Sequence, residues 1–157
     1  MSLTVSSSAF AEGKTIPRRH TGDGEDLSPA LSWSGVPPAA LELALIVDDP
    51  DAPTSEPWVH WVIYKVPVAT YVLPEGVPPV FRPGFPPTAL QGRNSWKSVG
   101  YRGPAPPKGH GVHRYFFKLF ALDKALHLAE GLDKAGLLKA IKGHVLAEGQ
   151  LMGTYQR

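Results

Sequence analysis

Asp48-Asp49-Pro50-Asp51-Ala52-Pro53, followed by Trp58-Val59-His60-Trp61, decides how the rest of this 157-residue chain reads. Proline fixes φ and holds the residue before it extended. Asp49 and Ala52 each precede a proline, so the turn has few conformations open to it. It carries two separated carboxylates, and a strand starting at Trp58 brings His60 back within reach. The stretch reads as one wall of a ligand pocket.

Working outward, Leu41–Val47 (LELALIV) is apolar on both faces, which predicts a central strand ending in the acidic turn. The strand from Trp58 to Val66 has the same two-faced character. Simple alternation puts Trp58, His60, Val62 and Tyr64 on one side and Val59, Trp61 and Ile63 on the other. Val112–Leu122 alternates more clearly, with His113, Tyr115, Phe117 and Leu119 on one face and Arg114, Phe116, Lys118 and Phe120 on the other. His113 and Tyr115 therefore point together, just beyond Gly109-His110-Gly111. Shorter strands are predicted at 4–10, near Trp33 and at 150–156. The long Pro-rich run from Pro67 to about Gly103 reads as loop. Asp133–Ile141 has helical spacing, with Leu137, Leu138 and Ile141 on one face and Gly143 as a stop signal. The expected fold is mostly β with one or two short helices, residues 1–157 forming one domain.

Composition narrows the function classes. The chain has 43% hydrophobic and 19% charged residues and a formal charge of +2. Its basic residues are scattered, so no nucleic-acid partner is expected. It has no cysteine, which removes disulfides, thiol catalysis and thiolate metal ligation. No apolar run approaches membrane-spanning length and no basic, apolar leader opens the chain. A soluble cytoplasmic protein without stable membrane insertion is the expectation.

The chemistry-bearing residues fall at strand ends: Asp49, Asp51, Trp58, His60, His113 and Tyr115, with glycines at 103, 109 and 111. Brought together, they suit a small anion. Glycine lets backbone N–H groups approach an oxyanion. Imidazolium and phenol groups add donors, the charged ones stronger. A carboxylate beside an imidazole fixes its tautomer and favours its charged form. Other readings stand beside this one. On residue type alone Asp49 and Asp51 read first as Asx-type turn caps. Trp58 and Trp61, taken singly, read as core, and His60 as a satisfied, half-buried histidine. His20, His110, His127 and His144 read as structural, and Arg114 with Lys118 as a solvated face. Two Asp and two His could ligate a divalent ion, but proline restrains the acids and no His-x-His or His-Glu-x-x-His pattern accompanies them. No nucleophile elbow is present. Neither a metal, a cofactor nor catalysis is expected.

Asp49-Pro-Asp-Ala-Pro53, Trp58-Val-His60 and Gly109-His-Gly-Val-His113-Arg-Tyr115-Phe-Phe together resemble the phosphatidylethanolamine-binding proteins, in particular their bacterial Raf-kinase-inhibitor-like branch. Ser28–Trp33, Gly92-Arg-Asn-Ser95 and the segments Gly143–Val145 and Gly153–Tyr155 extend the likeness over nearly the whole chain. The resemblance implies a Greek-key antiparallel β-sandwich with an anion pocket at one end. Asp49, Asp51, Trp58, His60, Gly103, Pro107, His113 and Tyr115 would line it, Pro107 on the resemblance alone. It also implies phosphate or phosphorylethanolamine-like head groups as ligands, a homodimer, and, as the alternative, inhibition of a protein kinase or peptidase through the surface. Ala105 stands where many bacterial relatives carry cysteine, so any role of that thiol is absent. The C-terminal helix of eukaryotic relatives has no equivalent before Arg157, which implies a pocket mouth that is open or covered by a second subunit.

Overall fold

The structure is a computed structural model and describes residues 3–157. Two antiparallel sheets form it. The small one contains β1 (Thr4–Ser6), β2 (Leu31–Ser34) and β5 (Val72–Leu73), in the order β1-β2-β5. The large one contains β3 (Glu42–Asp49), β4 (Trp58–Pro67), β6 (Leu90–Gln91), β7 (His113–Leu122) and β8 (Val145–Tyr155), in the order β6-β4-β3-β7-β8. After β4 the chain crosses to the small sheet, returns through β6, and only then lays β7 along the far side of β3. That long return is the Greek-key element.

β3 is buried along its whole length, as its two-faced apolar sequence requires. Leu43, Leu45 and Val47 face the small sheet, in one core with Leu31, Trp33, Trp61 and Phe117. Ala44 and Ile46 face the other way, in a second core with Val62, Tyr64, Leu137 and Ile141. The helix α1 (Lys134–Ile141) closes that second layer. Asp133 caps it by accepting from the N–H of Gly136. Leu137 and Ile141 are buried, whereas Leu138 stands at 38% exposure. The buried Asp48 carboxylate ties the helix to the sheet, 2.6 Å from Lys134 and within 3.3 Å of Lys118. Lys118 is thus an ion-pair partner rather than one half of a solvated pair with Arg114.

Simple alternation fails in β4. Val47 pairs with Trp61 and the next residue, Asp48, with Val59, so His60 is an extra residue on its strand. The bulge reverses the faces before it. Val59 joins Val62 and Tyr64 on the helix side, and the His60 ring packs against Tyr115 on the side of the first core. The expectation that His60 shares a face with Val62 and Tyr64 is corrected accordingly. A second bulge, where Lys65 takes φ 55°, returns Val66 to the first core.

Loop lengths differ from the sequence reading in both directions. The first strand shrinks to three residues, the last grows to begin at Val145, and the Pro-rich run holds the two-residue strands β5 and β6. Arg18–His20 adds a single 3-10 turn.

Candidate functional site

Asp49 closes β3, and its two oxygens do different work. Oδ1 accepts the N–H of Asp51 at 2.7 Å, which makes the Asx turn at the start of the acidic loop. Oδ2 accepts from Nδ1 of His113, the first residue of β7, also at 2.7 Å and with both groups buried. Both readings of Asp49 hold at once: turn cap and histidine partner. His113 Nε2 in turn lies 2.6 Å from Nδ1 of the exposed His110. Gly109 and Gly111, at φ 77° and 92°, let the loop double back over this distance. A Cβ at either would meet nothing within 4 Å, so the need there is conformational rather than steric.

His60 is held from the other side. Arg102 binds it twice: its N–H donates to the His60 carbonyl at 3.0 Å, and its own carbonyl accepts from His60 Nδ1 at 2.6 Å. His60 Nε2 is buried without a hydrogen-bond partner among the described residues. Burial lowers the His60 pKa to about 4, against the opposing pull of the Arg102 carbonyl and of Asp49. The ring is therefore neutral at pH 7, with Nδ1 protonated. The ring of Tyr115 crosses it edge-on at 5.1 Å. Burial, reinforced by Asp49, holds the Tyr115 phenol well above its ordinary ionisation, so it stays a donor.

These groups surround a cavity of about 240 Å³ whose lining includes Asp49, Trp58, His60, Pro107, His113 and Tyr115. Six of the eight residues picked out above are thereby brought together. Asp51 and Gly103 are not among its lining residues. The Asp51 carboxylate takes a two-pronged grip from Arg114, each bond 2.9 Å, and also accepts the Arg114 N–H. That hydrogen bonding holds Asp51 below the usual carboxylate range. Arg114 is the clamp on the acidic loop rather than a merely solvated side chain. Gly103 serves a close approach of two segments. A Cβ there would collide with the His20 carbonyl, and its N–H donates to Asp26 at 2.7 Å. Gly109 N–H is likewise engaged, by the Arg157 carbonyl. The glycine N–H groups at 103 and 109 are thus already committed within the fold, and the cavity depends on side chains instead.

Trp96 is the lining residue that periodicity could not reach. Its ring stands edge-on to both Trp58, at 5.5 Å, and His60, at 5.1 Å, with the Arg102 guanidinium 4.5 Å above it. The buried Asn94 builds the loop that holds it. Asn94 Oδ1 accepts from the N–H groups of Trp96 and Ser98 and from the Ser98 hydroxyl, while Nδ2 donates to the Gly100 carbonyl. Ser95 then pins this loop to the bulged edge of β4 by exchanging bonds with Val59. Asn94 and Ser95 are the available signal, but only the neighbouring structure shows which side chain they present.

A family model described as phosphatidylethanolamine-binding protein matches residues 6–156. A UPF0098 protein of Methanothermobacter thermautotrophicus is 50% identical over 155 residues, covering 99% of each chain. Among solved structures, YbcL of E. coli superposes with a TM-score of 0.91 at 31% identity, over 100% of this chain and 99% of that one. A carboxypeptidase Y inhibitor, solved with its cognate proteinase, shares the fold at 20% identity and a TM-score of 0.55, over 99% of this chain and 83% of its own. With a two-sheet fold and a family match over nearly its full length, the chain belongs to the phosphatidylethanolamine-binding protein family.

Proposed function

We propose that the chain binds a small phosphate-like anion in the cavity between β3, β4 and β7, as a binding protein without turnover. The observation that carries this reading is the convergence of His60, His113 and Tyr115 on one space of about 240 Å³. The Tyr115 phenol can donate to an oxyanion and the unpartnered His60 Nε2 can accept from a protonated one, and the room suits a phosphate with a short substituent better than an acyl chain. The Arg102 guanidinium over Trp96 adds positive charge beside it. Two nearby hydroxyls have other tasks: Thr54 donates to the Glu56 carbonyl, and Ser95 accepts from Val59. Neither is paired with a base as an activated nucleophile requires.

Titration with inorganic phosphate, followed by amide chemical shifts at pH 6, tests the reading. Shifts should cluster at residues 49–60 and 105–115 and disappear in His113→Ala. Shifts scattered elsewhere, or none at all, would sink it.

A surface inhibitor of a peptidase or kinase is the second reading. A wider groove of about 1130 Å³ favours it, running on from the cavity past their shared residues Thr54 and Trp58 and carrying Arg93, Lys97 and Lys134. Inhibition that survives His113→Ala but is lost on charge reversal of Lys97 would support this reading over the first.

A further inference from the structure

The two ring nitrogens of His60 have different surroundings, and the difference bears on a bound anion provided the cavity is the anion site proposed above. Its Nδ1 faces the Arg102 carbonyl at 2.6 Å. A carbonyl only accepts, so Nδ1 carries the ring's hydrogen and Nε2 of the neutral ring is a lone pair. That nitrogen is buried and unpartnered among the described residues, on a ring 2% exposed that lines the cavity.

The charged and titratable groups around the ring come from three elements. From β3, Asp49 is occupied by the Asp51 N–H and by His113, while Asp48 pairs with Lys118 and Lys134. From β7 come Tyr115, edge-on at 5.1 Å, and His113 behind it, tied to Asp49. From the loop before β7, Arg102 spends its carbonyl on Nδ1 and lays its guanidinium over Trp96. The two carboxylates pull toward a protonated ring, but burial outweighs them and keeps it neutral down to about pH 4.

We propose that His60 Nε2 acts as a hydrogen-bond acceptor, so that the cavity selects phosphate monoesters in their singly protonated form over phosphodiesters. The P–OH of the monoester donates to Nε2. A monoester keeps that hydrogen below a second ionisation near pH 6, whereas a diester has none to offer at neutral pH. A diester oxygen at Nε2 would set lone pair against lone pair unless the ring first took up a proton. From a pKa of about 4, that uptake at pH 7 is a handicap of roughly 1000-fold. The distinction separates two sources of one head group: free phosphorylethanolamine is a monoester, and the same group in an intact phospholipid is a diester.

The test compares O-phosphorylethanolamine with glycerophosphoethanolamine, by calorimetry and amide shifts at pH 5.5, 6.5 and 7.5, on the wild-type protein and on His60→Gln. Monoester affinity is expected to fall toward tenfold per pH unit above about pH 6, with the diester at least tenfold weaker at pH 5.5. In His60→Gln the side-chain amide can donate as well as accept, so the gap narrows and the pH dependence flattens. Equal affinities with parallel pH profiles in the wild type overturn the inference and leave the anion site standing. If neither compound nor inorganic phosphate binds at any pH, the anion site falls and this inference with it. The wild-type comparison decides the matter even if His60→Gln does not fold.

Discussion

The carboxylate of Asp49 and the Nδ1 of His113, 64 residues apart in sequence, meet at 2.7 Å in the interior, where the end of β3 lies beside the start of β7. The bond fixes Nδ1 as the protonated nitrogen and turns Nε2 toward His110. It joins the acidic loop to the glycine loop, so the two walls of the cavity are set by one contact.

Asp49→Ala removes the acceptor of two hydrogen bonds, from Asp51 N–H and from His113. Leaving a buried imidazole N–H unmet should destabilise the fold by about 2–4 kcal/mol. Asp49→Asn is expected to be milder: the amide oxygen keeps the Asp51 N–H, the amide nitrogen faces His113 Nδ1, and the His113 hydrogen moves to Nε2. Imidazole ¹⁵N shifts distinguish the two tautomers directly, and an unchanged Nδ1–H pattern in Asp49→Asn would contradict this account.

His60 makes stability depend on acid. Its folded pKa of about 4 lies below the ordinary 6.5, so between these values the unfolded chain binds a proton that the native chain does not. Stability is thus fully present above about pH 6.5 and falls as pH drops, by up to about 1.4 kcal/mol per unit and roughly 3 kcal/mol in all by pH 4. Urea denaturation at pH 7, 5.5 and 4 measures this. In His60→Gln the decline should be shallower by that amount, and parallel profiles would rule out His60 as its source.

Asn94→Ala strips the buried acceptor from Trp96 N–H, Ser98 N–H and the Ser98 hydroxyl. A loss of about 2–3 kcal/mol is expected. Because Trp96 stands against Trp58, tryptophan fluorescence should shift toward that of exposed indole even while the protein stays folded. Retained fluorescence would mean the loop holds Trp96 without Asn94.

The glycines separate by mechanism. Gly103→Ala drives a methyl group into the His20 carbonyl, against backbone that cannot swing aside, and should cost about 3 kcal/mol. Gly111→Ala meets open space and costs only the strain of φ 92°, about 1–2 kcal/mol. Thermal melts of the pair should rank them in that order. The reverse ranking would make the strained turn the more demanding of the two.

What could be read beforehand follows the regularity of the backbone. β7 pairs without a bulge from His113 to Ala121, so alternation alone put His113 and Tyr115 on one face, where the structure has them. β4 contains an extra residue, and residues counted outward from Val62 land on the wrong face beyond it. The helix was legible because its cap, apolar spacing and Gly143 agree. Trp96 was not, because its position depends on which turn Asn94 builds. Nor did residue type reveal that Gly103 serves a crossing of two segments, or that Arg114 occupies Asp51. Those are long-range partnerships, 77 and 63 residues apart.

The unequal count between Val47–Asp48 and Val59–Trp61 has a consequence for how such a cavity could be erased. Deleting one residue at position 60 would let β3 and β4 pair without interruption from Asp49 back to Leu45, giving a more regular sheet that has lost its inward-facing histidine. A single residue therefore separates a better β-ladder from a histidine-lined cavity, and this molecule keeps the less regular of the two.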